Sequence, residues 1–299
     1  MGNILITGGT GTVGKHLKKL IPNGIFIGSS HEHGGDLRDP TYAKYLFSSY
    51  TPDVVIHLAA KVGGIQENIK KPAEFFDDNI LINTNVLKYS YEYGAKQFIG
   101  ILSTCIYPDK SNKYPMTEED LFSGPPTSTN FSYGYAKRAL AVQIESYNKQ
   151  YGTKYNYLIP CNLYSEYDSF TNEDKMHFIT ALLHKMKNIK NNQIELLGDG
   201  TPLRQFMYAN DLAKVIKEVV DKNITESFNV ACPENLSIKE MAEIALTMLG
   251  SPTKINYINR NLNGQFRKDV SSNKMISILP NFKFTPFKKG IKKVYDKIS

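Results

Sequence analysis

Cysteine is scarce in this chain, tryptophan is absent and no long apolar run occurs. The three cysteines, Cys105, Cys161 and Cys232, have neither paired spacing nor a metal-type cluster. That argues against a disulfide framework or a metal centre and reads as reduced thiols in a cytoplasm. No stretch approaches the roughly 18 apolar residues a membrane span needs, so no membrane partner is expected. The chain opens at once on a strand-like ILIT (residues 4–7), which predicts no signal peptide. Internal repeats and low-complexity linkers are also missing.

Charge of one sign is not in large excess: 36 basic against 29 acidic residues leave +7. A mildly basic chain suits phosphorylated small molecules as well as nucleic acid. The lysines are scattered except in KKGIKKVYDK (288–297), which reads as the solvated face of a terminal helix. No nucleic-acid signature accompanies them, so no nucleic acid is expected as partner. With 299 residues, 41% apolar and 22% charged, the chain suits one large globular α/β domain or a large and a small one.

What is present is an alternation. ILIT (4–7), GIFIGSS (24–30), DVVIHLAA (53–60), KQFIGILS (96–103) and YNYLIPCNLY (155–164) are short apolar runs. Between them, segments such as VGKHLKKLI carry apolar residues three and four apart. Continuous apolar strands separated by helices predict a parallel sheet covered on both faces, an α/β Rossmann-type doubly wound fold. Past Tyr164 the pattern changes to a polar loop, then shorter helix and strand signals. This predicts a first domain over residues 1–164 and a smaller α/β domain over 165–299, with a βα element near 204–230 returning to the first sheet.

The first strand runs into GGTGTVG (8–14). Gly8, Gly11 and Gly14 make G-x-x-G-x-x-G: one glycine for a tight turn, one for close approach to a pyrophosphate, one for helix–strand packing. A helix from about Val13 aims its N–H groups at the phosphates. A purely structural turn is the other reading; the strand before and the helix after favour a dinucleotide. The second strand ends in Gly28, Ser29 and Ser30, with no acidic residue for ribose hydroxyls. Ser29 and Ser30 can face a 2′-phosphate, which favours NADP, although no arginine stands there. Asp36 and Leu37 follow and could bracket the adenine.

In FSYGYAKRA, Tyr133 and Lys137 are four apart, on one face of a helix. A neighbouring ammonium favours the phenolate and lowers the tyrosine pKa. The pair can then protonate a carbonyl oxygen as a hydride reaches its carbon, with Ser103 bonding the same oxygen. Alone, Y-x-x-x-K carries little weight in a chain with 19 tyrosines, of which Tyr135 is a bystander. Cys105, two residues past Ser103 in STCIYP (103–108), admits two readings, apolar filler or reactive thiol.

These residues lead to a resemblance. AAKVGGI (59–65), STCIYP, PMTEEDLFSGPPTSTNFSYGYAKRA (115–139), ESYNKQYG, PCNLY and GDGTPLRQFMYANDLA (198–213) are similar to stretches of the extended short-chain dehydrogenase/reductases, within them of the GDP-L-fucose synthase family. The likeness covers nearly the whole chain. It implies NADPH as cofactor and a GDP-linked 4-keto-6-deoxy sugar as substrate, which the second domain would bind. It implies Tyr133 as proton donor, Lys137 tuning it and holding the ribose, and Ser103 polarising the carbonyl. It also answers the question of Cys105: with His177 it forms the epimerisation base and acid. A 4-keto group acidifies the C3 and C5 protons; a thiolate removes one, and an imidazolium on the other face returns one.

The resemblance further implies cofactor contacts from Thr10, Thr12, Leu58, Ala59 and Ala60, and from Pro160, Asn162, Leu163 and His177. Substrate contacts are implied for Lys61, Asn162, Lys185, Leu197 and Arg204, and for Arg267 and Lys268 near the nucleotide. No metal is implied. A homodimer, a cytoplasmic location and a role in surface polysaccharide synthesis are. There are departures: Thr10 stands where the family often has arginine, Ser29-Ser30 where it has a basic residue, and Leu197 where it has tryptophan. They leave open a different sugar, such as a 4-keto-6-deoxy-heptose, and reduction at C4 without epimerisation.

Overall fold

The computed structural model describes residues 2–28, 35–170, 176–189, 192–259 and 265–298. In the first part, β1 (Ile4–Thr7), α1 (Thr12–Leu20), β2 (Ile25–Ile27), α2 (Pro40–Tyr50), β3 (Val54–His57), α3 (Ile65–Lys70), α4 (Pro72–Glu92), β4 (Gln97–Ile101), α5 (Phe131–Tyr151) and β5 (Asn156–Pro160) alternate strand and helix. They are followed by β6 (Asn162–Tyr164), α6 (Phe178–Lys187), β7 (Gln193–Leu197), β8 (Leu203–Arg204), β9 (Phe206–Tyr208), α7 (Ala209–Asp221), β10 (Phe228–Val230), β11 (Leu236–Ser237), α8 (Ile238–Met248), β12 (Lys254–Ile258), α9 (Asn273–Ile278) and α10 (Phe287–Ile298).

Six strands form one sheet in the order β10-β5-β4-β3-β1-β2, every pairing parallel. Leu5, Ile6, Val55, Ile56, Phe98, Ile99, Leu158 and Ile159 are buried, as strands covered on both faces require. Among the helices, α1 lies against α7 and α4 against α5. The chain crosses from β1 to β2 on one side and returns to β3 on the other. The carboxyl ends of β1 and β3 therefore flank a reversal in strand order, where an open α/β sheet leaves a crevice for a ligand.

The fifth apolar run does not stay one strand. β5 ends at Pro160, and β6 leaves the main sheet to pair with β9. Likewise the third run ends as a strand at His57, although the Leu58 N–H still donates to the Thr7 carbonyl of β1 at 3.1 Å. A second, smaller core holds Tyr164, Leu183, Ile194, Met241, Phe287 and Ile291. α6, α8, α10 and the parallel pair β7–β12 build it. Helix α9 and the two-residue pair β8–β11 had no clear periodic signal, being too short to display one. No helix among the described residues is long and apolar enough to cross a membrane.

Candidate active site

The glycine loop leaves β1 with Gly8 at φ +69°, where a Cβ would lie 2.7 Å from the Ala59 nitrogen. Only glycine lets the loop pass so close to the end of β3. This contact brings Gly8, Leu58 and Ala59 together. A Cβ on Gly14 would sit 2.3 Å from the Gly9 carbonyl oxygen, so the first turn of α1 lies directly on the loop. Gly11 caps α1 without a side-chain hydrogen bond, and no acidic residue stands in the first turn. The N–H groups there are left for an outside anion. These residues fit a dinucleotide pyrophosphate: Gly8, Thr10, Gly11, Val13 and Gly14 would hold it.

Thr12 is a partial exception. Its hydroxyl donates to Asp168 at 2.9 Å. Asp168 also accepts from the Ser165 N–H at 3.0 Å and the Thr180 hydroxyl at 3.1 Å. One carboxylate thereby ties the glycine loop to the β6 exit and to α6. Beneath the loop lies a buried brace. The Thr7 hydroxyl meets His57 Nδ1 at 2.8 Å, and His57 Nε2 meets Asn83 at 3.0 Å. Asn83 donates to the Ala136 carbonyl at 3.3 Å. Burial, then the Lys137 charge, press the His57 pKa down to about 3, so the brace is neutral. Sequence reasoning passed over it because a histidine in an apolar strand gives no local signal.

The reactive cluster stands at the carboxyl end of β4. Ser103 caps a single turn, accepting from the Cys105 N–H at 3.3 Å. Gly134 lets α5 pass against this turn: a Cβ there would lie 2.9 Å from the Cys105 carbonyl oxygen. Tyr133, beside it, comes within electrostatic reach of Cys105. Lys137, one helical turn on, is 2% exposed and donates to the Ile101 carbonyl at 2.8 Å. Burial lowers its pKa to about 8. The expected tuning of Tyr133 by Lys137 is not what sets the phenol: burial first, then the Cys105 charge, push its pKa up. In these surroundings the Tyr133 phenol holds its proton.

Cys105 is partly exposed. The Lys268 ammonium lies 3.1 Å from its sulfur and the Asn130 amide 3.5 Å. Burial works against the thiolate, but the Lys268 charge and hydrogen bonds from Ser103, Lys268 and Asn130 outweigh it, and the pKa falls below the ordinary thiol value. Lys268, expected near the nucleotide, thus stands within hydrogen-bond reach of the Cys105 thiol. Asn130 and its contact were not anticipated.

Other sequence-predicted residues fall into three groups. Lys185, Leu197 and Arg204 share a cavity of about 240 Å³ with Phe178, Leu196 and Ile238. Arg204 donates to the Leu203 carbonyl at 2.7 Å, and its guanidinium reaches Cys105 electrostatically. A second group has its charge already partnered. Lys61 is held by Asp78 at 2.7 Å and Glu74 at 2.8 Å. Asp36 is bound by Arg38, an arginine shortly beyond the second strand, which also reaches Asp78. Arg267 forms a two-pronged pair with Asp269 and stacks on Tyr114 at 5.1 Å. The Asn162 amide donates to the Gln205 carbonyl at 3.0 Å. Leu37 is buried, and Pro160 and Leu163 flank the point where the chain leaves the main sheet. The third group stands apart: His177 is exposed at the N-cap of α6 and makes no hydrogen bond to Cys105. Ser29 and Ser30 lie outside the described residues.

Comparison with known proteins fits this geometry. The profile of the NAD dependent epimerase/dehydratase family matches residues 4–231. A GDP-L-fucose synthase from Dictyostelium discoideum is 36% identical over 97% of this chain and 92% of its own. A crystal structure of a GDP-L-fucose synthetase from Naegleria fowleri bound to NADP superposes with a TM-score of 0.88 at 34% identity, over 99% of this chain and 92% of that one. A GDP-mannoheptose C4 reductase from Campylobacter jejuni with NADP bound gives 0.85 at 27% identity, over 99% and 98%. With its glycine cradle, its Ser–Tyr–Lys cluster and relatives matching along nearly its full length, the chain belongs to the NAD dependent epimerase/dehydratase family, in the branch that holds the GDP-L-fucose synthases.

Proposed function

We propose that the chain is an NADPH-dependent epimerase–reductase of a GDP-linked 4-keto-6-deoxy sugar, acting as the GDP-L-fucose synthases do. The observation that carries this reading beyond homology is the partly exposed thiol of Cys105, set between Ser103, Tyr133 and a lysine. A plain reductase has no use for a thiol with a lowered pKa beside its Ser–Tyr pair.

In this reading the thiolate of Cys105 takes a proton from the carbon beside the C4 carbonyl. Ser103 and Tyr133 hold the oxygen on which charge develops. His177, exposed and able to exchange with solvent, returns a proton to the opposite face. When bound, the nicotinamide supplies the hydride for C4. Tyr133, protonated because it is buried, then gives its proton to the C4 oxygen. Lys137 keeps a positive charge beside the cluster. Residues 1–164 would carry the cofactor and 165–299 the nucleotide sugar, with 204–230 returning to the sheet. The cavity between α6 and β7 is apolar with Lys185 and Arg204 at hand, which suits a nucleotide base and its diphosphate.

We also assign the protein to the cytoplasm, to surface polysaccharide synthesis and to a homodimer. A second copy would dock on α4 and α5, where Leu81, Tyr91, Val142 and Tyr151 are exposed. A second reading, C4 reduction without epimerisation, is favoured by the likeness to the heptose reductase and by Leu197. The test is turnover of GDP-4-keto-6-deoxymannose with NADPH in D₂O, followed by mass measurement after return to H₂O. Carbon-bound deuterium in the reduced product is the expected result. A reduced product without deuterium selects the second reading, and no reduction of hexose or heptose keto-sugars overturns both. Tyr133→Phe should lose reduction by about 10²–10⁴-fold while still exchanging deuterium.

A further inference from the structure

We propose that Lys268 is a positioning residue that holds Cys105 as a thiolate, so that the sulfur is charged before any sugar arrives. The inference rests on the reading of Cys105 as the group that removes the substrate proton.

An ammonium has three donors and no acceptor, so at 3.1 Å only the sulfur can be the acceptor. Such a charge-assisted contact favours the thiolate over the thiol. The ammonium has no carboxylate partner among the described residues. Asp269, its chain neighbour, is turned to Arg267 and engaged through both oxygens. The other groups that face the thiol are Ser103 and Asn130, which are neutral, Tyr133 from α5 and Arg204 from β8. Tyr133 is uncharged below its raised pKa, and Arg204 adds a second cation. Among the described residues, no carboxylate is in contact with the thiol or with Lys268.

The contact is built into the fold. Residues 265–271 form a strap fastened on several sides. Gln265 donates to the Asp109 carbonyl at 2.7 Å, Met116 N–H to the Asp269 carbonyl at 3.0 Å and Ser271 N–H to the Met116 carbonyl at 2.7 Å. Val270 N–H donates to the Gln205 side chain at 2.9 Å, and the Gln205 amide returns to the Val270 carbonyl at 3.2 Å. Arg267 and Lys268 point different ways from this strap, one to Asp269 and Tyr114, the other to Cys105. A lysine aimed at a mobile diphosphate needs no such fastening on its neighbours.

The test reads the thiol directly. Alkylation of Cys105 by iodoacetamide is followed against pH by mass spectrometry of its peptide in folded wild type, Lys268→Met, Lys268→Gln and Lys268→Arg. Cys161 and Cys232 are 5% and 2% exposed and should stay silent. The midpoint should rise by about one pH unit or more in Lys268→Met and Lys268→Gln, and Lys268→Arg should keep most of the wild-type midpoint. GDP affinity should stay within about twofold. An unmoved midpoint overturns the proposal, and if GDP affinity then falls about tenfold, Lys268 is a nucleotide cation. The paired variants guard against one that fails to fold. Deuterium exchange into the keto-sugar separates the two claims. A shifted midpoint with no exchange in wild type sinks the epimerase reading and keeps the ion pair. Exchange with an unmoved midpoint sinks the ion pair and keeps the epimerase.

Discussion

Cys105 and His177 receive matching roles from the resemblance, yet they stand in unlike surroundings. Cys105 sits on a capped turn between β4 and α5, touched by Asn130 and Lys268 and backed by Tyr133. His177 is exposed, and what anchors it is backbone: its carbonyl accepts the Ala181 N–H at 2.9 Å at the start of α6. The difference follows from the two tasks. A group that must take a proton from carbon needs its pKa set by fixed neighbours before the substrate binds. A group that returns a proton can draw on solvent, and exposure serves it. On the His177 side, Asp168 bonds the glycine loop through Thr12 and α6 through Thr180, and lies within the field of His177.

The comparison can be broken most sharply by removing each group in turn. Cys105→Ser should cut deuterium exchange by about 10²–10³-fold, because neighbours that favour a thiolate cannot ionise a serine hydroxyl near neutral pH. His177→Asn should cost about 10–10²-fold and recover in part with added imidazole, because its site is open to solvent. Equal losses with no rescue in either variant would mean that the two surroundings are not different in kind.

A smaller effect is expected at Lys137, which extends the buried side. Lys137→Met should lower reduction by about 10²-fold. Its effect on stability has a definite sign. The ammonium is disfavoured by burial, with a pKa near about 8 against 10.5 in the free side chain. Below pH 8 both folded and unfolded chains hold the proton, and the burial cost is felt in full. Between about pH 8 and 10.5 the unfolded chain binds more protons, so wild type gains stability as pH rises, and Lys137→Met does not. Urea unfolding at pH 7 and pH 10 should show the variant's relative stability shrinking as pH rises; a constant difference would contradict the buried charge. The smallest effect is expected at the tie between the glycine loop and α6. Thr12→Val removes the bond to Asp168 and should cost about 1 kcal/mol, a fall of roughly 2–4 °C in Tm.

Much of the fold was legible before any coordinates. Short apolar runs and amphipathic spacing locate β1, β3, β4, β5 and the helices between them, because a strand buried on both faces has to be apolar throughout. The glycine loop was legible for the same local reason, since a positive φ at Gly8 and the contact of Gly14 with Gly9 demand glycine. The pairing of charges was not. Lys61, Asp36 and Arg267 read as ligand groups from their motifs, but each is engaged by a partner whose nearness depends on the path of the chain.

The sequence by itself determined the parallel sheet, the dinucleotide loop and the Ser103, Tyr133 and Lys137 set, because each is written in a local spacing or side-chain type. The tertiary structure alone decided that Lys268 meets Cys105 across 163 residues, that Asp168 meets Thr12 across 156, and that Tyr133 is held protonated. Contacts between distant segments follow from where a strap or loop is fastened. The proton state of a side chain follows from how far burial and neighbouring charge outweigh its intrinsic pKa, and neither quantity exists until the chain has folded.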